Sequence, residues 1–325
     1  MLCGFDFERK ISVRHSDDEG KTWNELVKVA ESPFSRLTNV ELLQLRNGTI
    51  LCFYNERPRR SAPENSSNVV QHHYNIGMAR SEDGGKTWQK SETLYTAGTE
   101  FTNGCWEPAA IELPSGEVQM FFSNEGPYRQ SDEQEITLRR SKDGARTWSS
   151  PEKVSFRSMH RDGMVVPLIL KNNLGIVFAI EDNGLSGHFK PAIIFTTLKD
   201  NWRSGTREPG NTNRWSALRT LPPPQVSVSA PYLRQIPSGE TLLSVQQSET
   251  GEMKTAYMKV YIGDANARDF NSPSTPFPIT AGTAQLWNSL FIKDSETVVA
   301  VTESTINGVS GIWSIDGRFV RNNRE

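Results

Sequence analysis

An eight-residue pattern, Ser-x-Asp-x-Gly-x-Thr-Trp, occurs three times: SDDEGKTW from Ser16 to Trp23, SEDGGKTW from Ser81 to Trp88, and SKDGARTW from Ser141 to Trp148. One match arises readily by chance, but three whose starts lie 65 and 60 residues apart do not. The spacing suits a repeated unit of four strands with its loops. In each copy Asp and Gly supply a tight turn closed by the carboxylate, while Thr and Trp begin the next strand and pin the turn to its sheet. The third copy departs from the pattern, with Gly144 one place early and Ala145 where glycine is usual. A purely structural role tolerates that change.

Between these copies runs a second repeat: an apolar strand, a Gly or Asn turn, then another apolar strand ending in polar residues. Its copies are ELLQLRNGTILCFYNE from Glu41, AAIELPSGEVQMFFSNE from Ala109, VPLILKNNLGIVFAIED from Val166, PYLRQIPSGETLLSVQQSE from Pro231 and NSLFIKDSETVVAVTES from Asn288. Alternation over five to seven residues, β-branched and aromatic enrichment and PSG or RNG punctuation favour strands over helices. Outer strands include YNIGMARS, EITLRRS, KPAIIFTTL and AYMKVYIG. MLCGFDFER resembles ILCFYNER, so the N-terminus enters a blade at its second strand. The expected fold is all-β: a six-bladed β-propeller of four-stranded antiparallel blades with negligible helix. SGIWSIDGRFV is expected to supply the missing innermost strand, so that N- and C-terminal strands close one blade and remove exposed edges. A five-bladed ring is the alternative. The stretches around Ser61 to Asn68 and Pro222 to Pro224 read as loops, and residues 1–325 as one domain.

A formal charge of −2 and 36% hydrophobic content describe an ordinary globular chain without a basic patch, and no nucleic-acid partner is expected. The longest apolar runs, VVPLIL and GIVFAI, are too short to span a membrane as helices. MLCGFDFER lacks the basic region and long apolar core of a signal peptide, and a leader preceding Met1 would direct the protein to a secreted or periplasmic location. Cys3, Cys52 and Cys105 lack metal-ligand spacing and read as buried thiols. His72, His73 and Tyr74 sit in a long loop without partner acids. No metal or organic cofactor is expected, and the chain is expected to be a monomer.

In a propeller the inner strands converge on a channel, so polar residues at their ends are the candidates for chemistry. Glu107, between Trp106 and Pro108, is a carboxylate against an aromatic and suits a general acid. Glu181 ends the apolar strand GIVFAIED and suits a nucleophile or base. The bland readings are a structural acceptor and a solvated strand end. Arg36 precedes the first complete inner strand, and Arg161 and Asp162 occupy the equivalent place before the third hairpin. An arginine there can bond sugar hydroxyls or carboxylates bidentately. Trp106 and Trp287 are available as stacking platforms. Asn124 ends the second hairpin beside Glu125, and Tyr232 lies in the fourth, SAPYLRQIPSGE.

The octapeptides look like the Asp boxes, or BNR repeats, of sialidase-like β-propellers. More closely, the chain is similar to glycoside hydrolase family 93, the exo-α-1,5-L-arabinanases, through FSRLTNVELLQLRNGTIL, the WEP segment at Trp106, RDGMVVPLIL followed by FAIE, and SAPYLRQIPSGE. That resemblance implies a retaining enzyme cleaving α-1,5-linked L-arabinan from a chain end and releasing arabinobiose or similar short products. It maps the acid/base onto Glu107 and the nucleophile onto Glu181, with carboxyl groups about 5 to 6 Å apart. Capping loops after Asn55 and Asp182 would favour exo action.

Two alternatives stand beside it. An exo-α-sialidase shares the Asp boxes, and Arg36 fits the first of its three arginines. However, SAPENSSNVVQHHYNIGMARS has no Asp before the box, and the C-terminal blades offer no Tyr in the expected region. A non-catalytic glycan-binding propeller is compatible with the boxes, which say nothing about the channel.

Overall fold

The computed structural model describes residues 2–7, 9–58, 72–171, 174–184 and 187–320; the segment around Ser61 to Asn68 lies outside the described residues. The chain has the six-bladed β-propeller fold expected from its repeats, three blades in each of two compact units, Met1–Lys153 and Val154–Glu325.

In the first unit, blade 1 comprises β1 (Leu2–Phe7), β2 (Lys10–His15) and β3 (Val27–Glu31). Blade 2 comprises β4 (Ser35–Gln44), β5 (Ile50–Pro58), β6 (Asn75–Ser81) and β7 (Glu92–Thr96). Blade 3 is β8 (Cys105–Glu112), β9 (Val118–Asn124), β10 (Glu135–Ser141) and β11 (Glu152–Ser155), the last strand running two residues past the unit boundary. In the second unit, blade 4 is β12 (His160–Ile169), β13 (Gly175–Gly184), β14 (Lys190–Thr197) and β15 (Arg214–Ser216). Blade 5 is β16 (Ser227–Gln235), β17 (Thr241–Ser248), β18 (Tyr257–Gly263) and β19 (Asn271–Ser274). Blade 6 is β20 (Gln285–Ile292), β21 (Thr297–Ile306) and β22 (Val309–Arg318). All pairing within blades is antiparallel. The described helix is confined to two single 3₁₀ turns, Phe101–Asn103 and Met253–Thr255.

Five inner hairpins, β4–β5, β8–β9, β12–β13, β16–β17 and β20–β21, fall where the second repeat places them. Their turns follow from glycine. Leu45, Leu113 and Ile236 each accept the N–H of a glycine three residues on, and Gly48, Gly116 and Gly239 adopt φ of 90°, 87° and 112°. That left-handed backbone completes a type I turn with a glycine bulge.

The expected closure of one blade by both termini is corrected. β22, which contains SGIWSIDGR, pairs with β21 as a third strand, and blades 1 and 6 each hold three strands among the described residues. The reason is local: Asn307 and Gly308, with φ of 52° and 77°, form a two-residue turn that sets Val309 opposite Ile306. Asn-Gly is the strongest short signal for such a hairpin.

The apolar core lies between neighbouring blades, because each strand buries alternate residues against the next sheet. Ile11, Val13, Leu37 and Cys52 fill the space between blades 1 and 2, and Phe53, Met78, Trp106 and Met120 that between blades 2 and 3. In the second unit Val177, Ile193, Val228 and Leu243 pack between blades 4 and 5, and Ile236, Met258 and Leu290 between blades 5 and 6. Cys52 and Cys105 are fully buried thiols, as expected, whereas Cys3, read the same way, is only half-buried on β1 of a three-stranded blade.

Each Asp box turns the chain into the last strand of its blade, from β2 to β3, β6 to β7 and β10 to β11. In the second copy Thr87 donates from N and Oγ1 to Asp83 at 2.9 and 2.6 Å, and Ser81 Oγ accepts the N–H of Gly85 at 2.9 Å. Ser141, Asp143 and Thr147 repeat the pattern, with Ala145 held at φ 67° where its counterparts are Gly20 and Gly85. Blade 4 contains a fourth, disguised copy. Thr196 Oγ1 donates to Asp200 Oδ2 at 2.8 Å and accepts the N–H of Trp202, while Ser204 N donates to Asp200 Oδ1 at 3.0 Å.

Candidate active site

A bulge recurs at the same point of every complete inner hairpin. The register slips between Thr38 and Glu41, Trp106 and Ala109, Gly163 and Val166, Ser229 and Tyr232, and Leu286 and Ser289. Each slip contains one non-glycine residue in the left-handed region: Asn39, Glu107, Met164, Ala230 and Trp287, with φ between 45° and 55°. Such a conformation costs on the order of 1 kcal/mol or more per residue and persists where its surroundings over-determine it. Bulges re-aim side chains beside functional sites, and the residue that blade 3 re-aims is Glu107.

A bulge frees a backbone N–H, and the neighbouring blade satisfies it. Asp6 Oδ2 accepts from Asn39 N at 3.2 Å, Glu181 Oε2 from Ala230 N at 2.7 Å, and Gln246 Oε1 from Trp287 N at 3.2 Å. Asp6, Glu181 and Gln246 hold equivalent places on β1, β13 and β17. Asn55, their counterpart on β5, instead donates to Cys105 O at 2.7 Å.

In the first unit a polar cluster gathers around Glu107. Arg57 lies across the face of Trp106, 4.9 Å from the ring centroid, and its Nη2 is 3.9 Å from Glu107 Oε1. Two carboxamides fix the guanidinium: Nε donates to Asn55 Oδ1 at 2.7 Å and Nη2 to Asn39 Oδ1 at 2.5 Å. These neutral acceptors orient the cation without cancelling its charge. Burial holds Arg57 below its ordinary value; Glu107 opposes that shift and neighbouring Arg36, its register partner, adds to it. Arg36 itself is exposed. Arg57 was not among the sequence candidates, although the likeness of ILCFYNER to MLCGFDFER flags its position.

In the second unit Glu181 is half-buried opposite Gly163, and its carboxylate reaches the bulge of the next blade. Arg161 is half-buried two residues before Gly163, where the bulge of blade 4 begins, and Trp287 is 47% exposed at the bulge of blade 6.

Four other candidates turn inward. Asp162 is fully buried in a bidentate pair with Arg214 at 2.7 and 2.8 Å and also takes Ser155 Oγ at 2.5 Å. Arg214 continues to Asp182, which His160 and Arg157 also engage at 2.6 and 3.0 Å. This network ties blade 4 together and leaves Asp162 no free surface. Asn124 is 2% exposed and bonds Thr137 and the Gly126 N–H in blade 3 and Tyr95 on β7 of blade 2. Trp106 is 5% exposed beneath Arg57, Tyr74 and Phe101, so its ring is packing. Tyr232 is half-buried and packs against the core, with Arg234 over its ring at 4.3 Å. Of the loop residues, Tyr74 is buried against Trp106 and His73 Nδ1 meets Ala97 O at 2.8 Å.

Among solved structures the chain is similar to a protein of unknown function from Dyadobacter fermentans, with a TM-score of 0.71 and 18% identity over 96% of this chain and 84% of that one. It is similar also to an α-L-arabinofuranosidase from Fusarium graminearum, solved with an iminosugar inhibitor (TM-score 0.70, 17% identity, 98% and 89% coverage). A Penicillium chrysogenum α-L-arabinanase complexed with arabinobiose superposes with a TM-score of 0.68 at 15% identity, covering 98% of this chain and 89% of that one. These likenesses establish a fold shared with glycoside hydrolases. A curated sialidase from Bacteroides fragilis is 26% identical over 172 residues, covering 47% of this chain; the match spans only 28% of that relative's length. The BNR repeat-like domain matches residues 4–184, more than half of the sequence and the stretch holding all three Asp boxes, and the chain therefore belongs to the BNR repeat-like domain family.

Proposed function

We propose that the protein is a retaining, exo-acting glycoside hydrolase of α-1,5-linked L-arabinan, releasing arabinobiose or similar short products. The observation that carries this reading is Glu107 at a strained bulge, flanked by a clamped arginine and an aromatic wall. The bulge recurs in all five inner hairpins; what sets blade 3 apart is the carboxylate it re-aims and the clamped arginine beside it. The arabinose-acting structural neighbours supply the substrate class.

In this mechanism Glu107 protonates the departing glycosidic oxygen and Glu181 attacks the anomeric carbon, forming a glycosyl-enzyme ester. Water, deprotonated by Glu107, then hydrolyses that ester with net retention. Arg57 stabilises the carboxylate that Glu107 becomes after giving up its proton. For Glu181, the Ala230 N–H fixes one oxygen and favours the ionised form that a nucleophile needs.

A second reading, an exo-α-sialidase, is favoured by the Bacteroides relative and by the cross-strand pair Arg36 and Arg57, which would suit a carboxylate. Incubating purified protein with linear arabinan and with 3′-sialyllactose separates the two. Arabino-oligosaccharide release with retained anomeric configuration by NMR supports the proposal, and release of sialic acid alone overturns it. Binding without cleavage of either sugar would indicate a glycan-binding propeller.

A further inference from the structure

We propose that Phe101 is a stacking platform for a sugar ring beside Glu107; the assignment rests on the reading of Glu107 as a catalytic carboxylate. Phe101 is 58% exposed, yet its setting is rigid. Asn103 ties the single turn Phe101–Asn103 from both sides, accepting the Glu100 N–H through Oδ1 at 3.1 Å and the Gly98 N–H through its carbonyl at 2.9 Å. Side chains are excluded at both hinges: a Cβ on Gly98 would meet Asn103 Oδ1 at 1.7 Å, and one on Gly104 the Trp106 ring at 2.5 Å. The inner side of the Phe101 ring rests on Trp106 at 5.0 Å and edge-on against Tyr74 at 6.5 Å, leaving the remainder to solvent.

Trp106 precedes Glu107 on β8, and Arg57, which lies over the same indole that backs the exposed ring, stands 3.9 Å from the carboxylate. The sequence offers Trp106 as the platform; the fold buries it and presents Phe101 instead. An uncharged, rigidly backed aromatic face recognises the C–H face of a sugar ring through dispersion and costs little entropy on binding. The ligand class is therefore a carbohydrate whose ring adjoins the reacting bond.

The test titrates arabinobiose and 3′-sialyllactose into the full chain carrying Glu107→Gln, followed by calorimetry and by tryptophan fluorescence. Adding Phe101→Ala should weaken binding about tenfold, and Phe101→Trp should restore it to within about twofold. Phe291→Ala, which removes a 48% exposed ring from β20 in the other unit, should leave it unchanged. In the active chain Phe101→Ala should raise KM with kcat nearly constant, the signature of uniform binding. Unaltered binding in Phe101→Ala, with Glu107-dependent hydrolysis intact, overturns the platform alone. Weakened binding in a chain whose hydrolysis does not depend on Glu107 overturns the catalytic reading and keeps the platform. Failure of the parent to bind either sugar overturns both.

Discussion

The side-chain carboxylate of Glu181 accepts a 2.7 Å hydrogen bond from the backbone N–H of Ala230, the strained bulge residue of the next blade. One blade on, Gln246 does the same for Trp287 with an uncharged amide oxygen. The fold needs an acceptor at this place, and it does not need a charge. Stability and chemistry at Glu181 are therefore separable. Glu181→Gln keeps the acceptor and should melt within about 1 kcal/mol of the parent, while Glu181→Ala orphans a buried N–H and should lose about 1–3 kcal/mol. Both should lose about a thousandfold or more in kcat on arabinan if Glu181 is the nucleophile. Thermal melts set beside initial rates check this; a Glu181→Gln protein with parental activity removes Glu181 from the mechanism.

Asp162 and Arg214 carry the opposite expectation. Both side chains are buried, and removing Asp162 strips Arg214 of its bidentate partner and leaves it only Asp182, at 3.1 Å, as a carboxylate partner. Asp162→Ala should cost about 3 kcal/mol of stability or more, with KM of the remaining folded protein unchanged. Denaturant unfolding combined with kinetics at low temperature tests it. A normal melt with a raised KM would return Asp162 to the substrate.

The Asp boxes set the acid limit of the fold. Hydrogen bonds from the Thr22 side chain and backbone draw Asp18 down to about 2, and Thr87 and Thr147 depress Asp83 and Asp143 in the same way. At Asp200 burial acts upward, but bonds from Ser204, Thr196 and Arg207 outweigh it and bring the carboxyl to about 2. These folded values lie below the unfolded ones. The contribution is thus complete above about pH 4 and is lost as pH falls towards 2. Tm should be flat from neutrality to about pH 4.5 and then fall steeply, and Asp83→Asn should begin lower and fall less steeply. Parallel parent and variant curves would exclude the boxes as the titrating groups.

The blades were legible because their determinants are local. Alternation, glycine turns and a fixed octapeptide each act within about ten residues. The fourth box escaped notice because two extra residues separate Thr196 from Asp200, a stretch the side-chain geometry absorbs and a fixed pattern does not. The terminal closure failed although the Asn307-Gly308 dipeptide stands in the sequence, since an exposed strand edge is equally ready for any partner. For the site, Glu107 was readable from its unusual neighbours. Its bulge was not, nor was the clamp on Arg57, which depends on Asn39, 18 residues upstream and across a strand pair. Asp162 misled for the same reason: a carboxylate at a strand end looks alike whether it faces solvent or an arginine 52 residues away.

The clamp on Arg57 yields the last prediction. Asn39 and Asn55 orient the guanidinium, Trp106 supports its face, and Glu107 stands 3.9 Å from its Nη2. A planar fork meets both carboxamides at once, which an ammonium cannot do. Arg57→Lys should therefore keep the charge, lose the geometry and lower kcat/KM by about tenfold, whereas Arg57→Met removes both and should lower it by about a hundredfold or more. Arg36→Met, at the exposed register partner, should raise KM with less effect on kcat. The graded order separates an electrostatic role for Arg57 from a packing one, because Met fills the space over Trp106 better than Lys does. If Met outperforms Lys, or if both remain within about twofold of the parent on arabinan and on a sialoside, the cluster around Glu107 is scaffold and the catalytic carboxylate lies elsewhere.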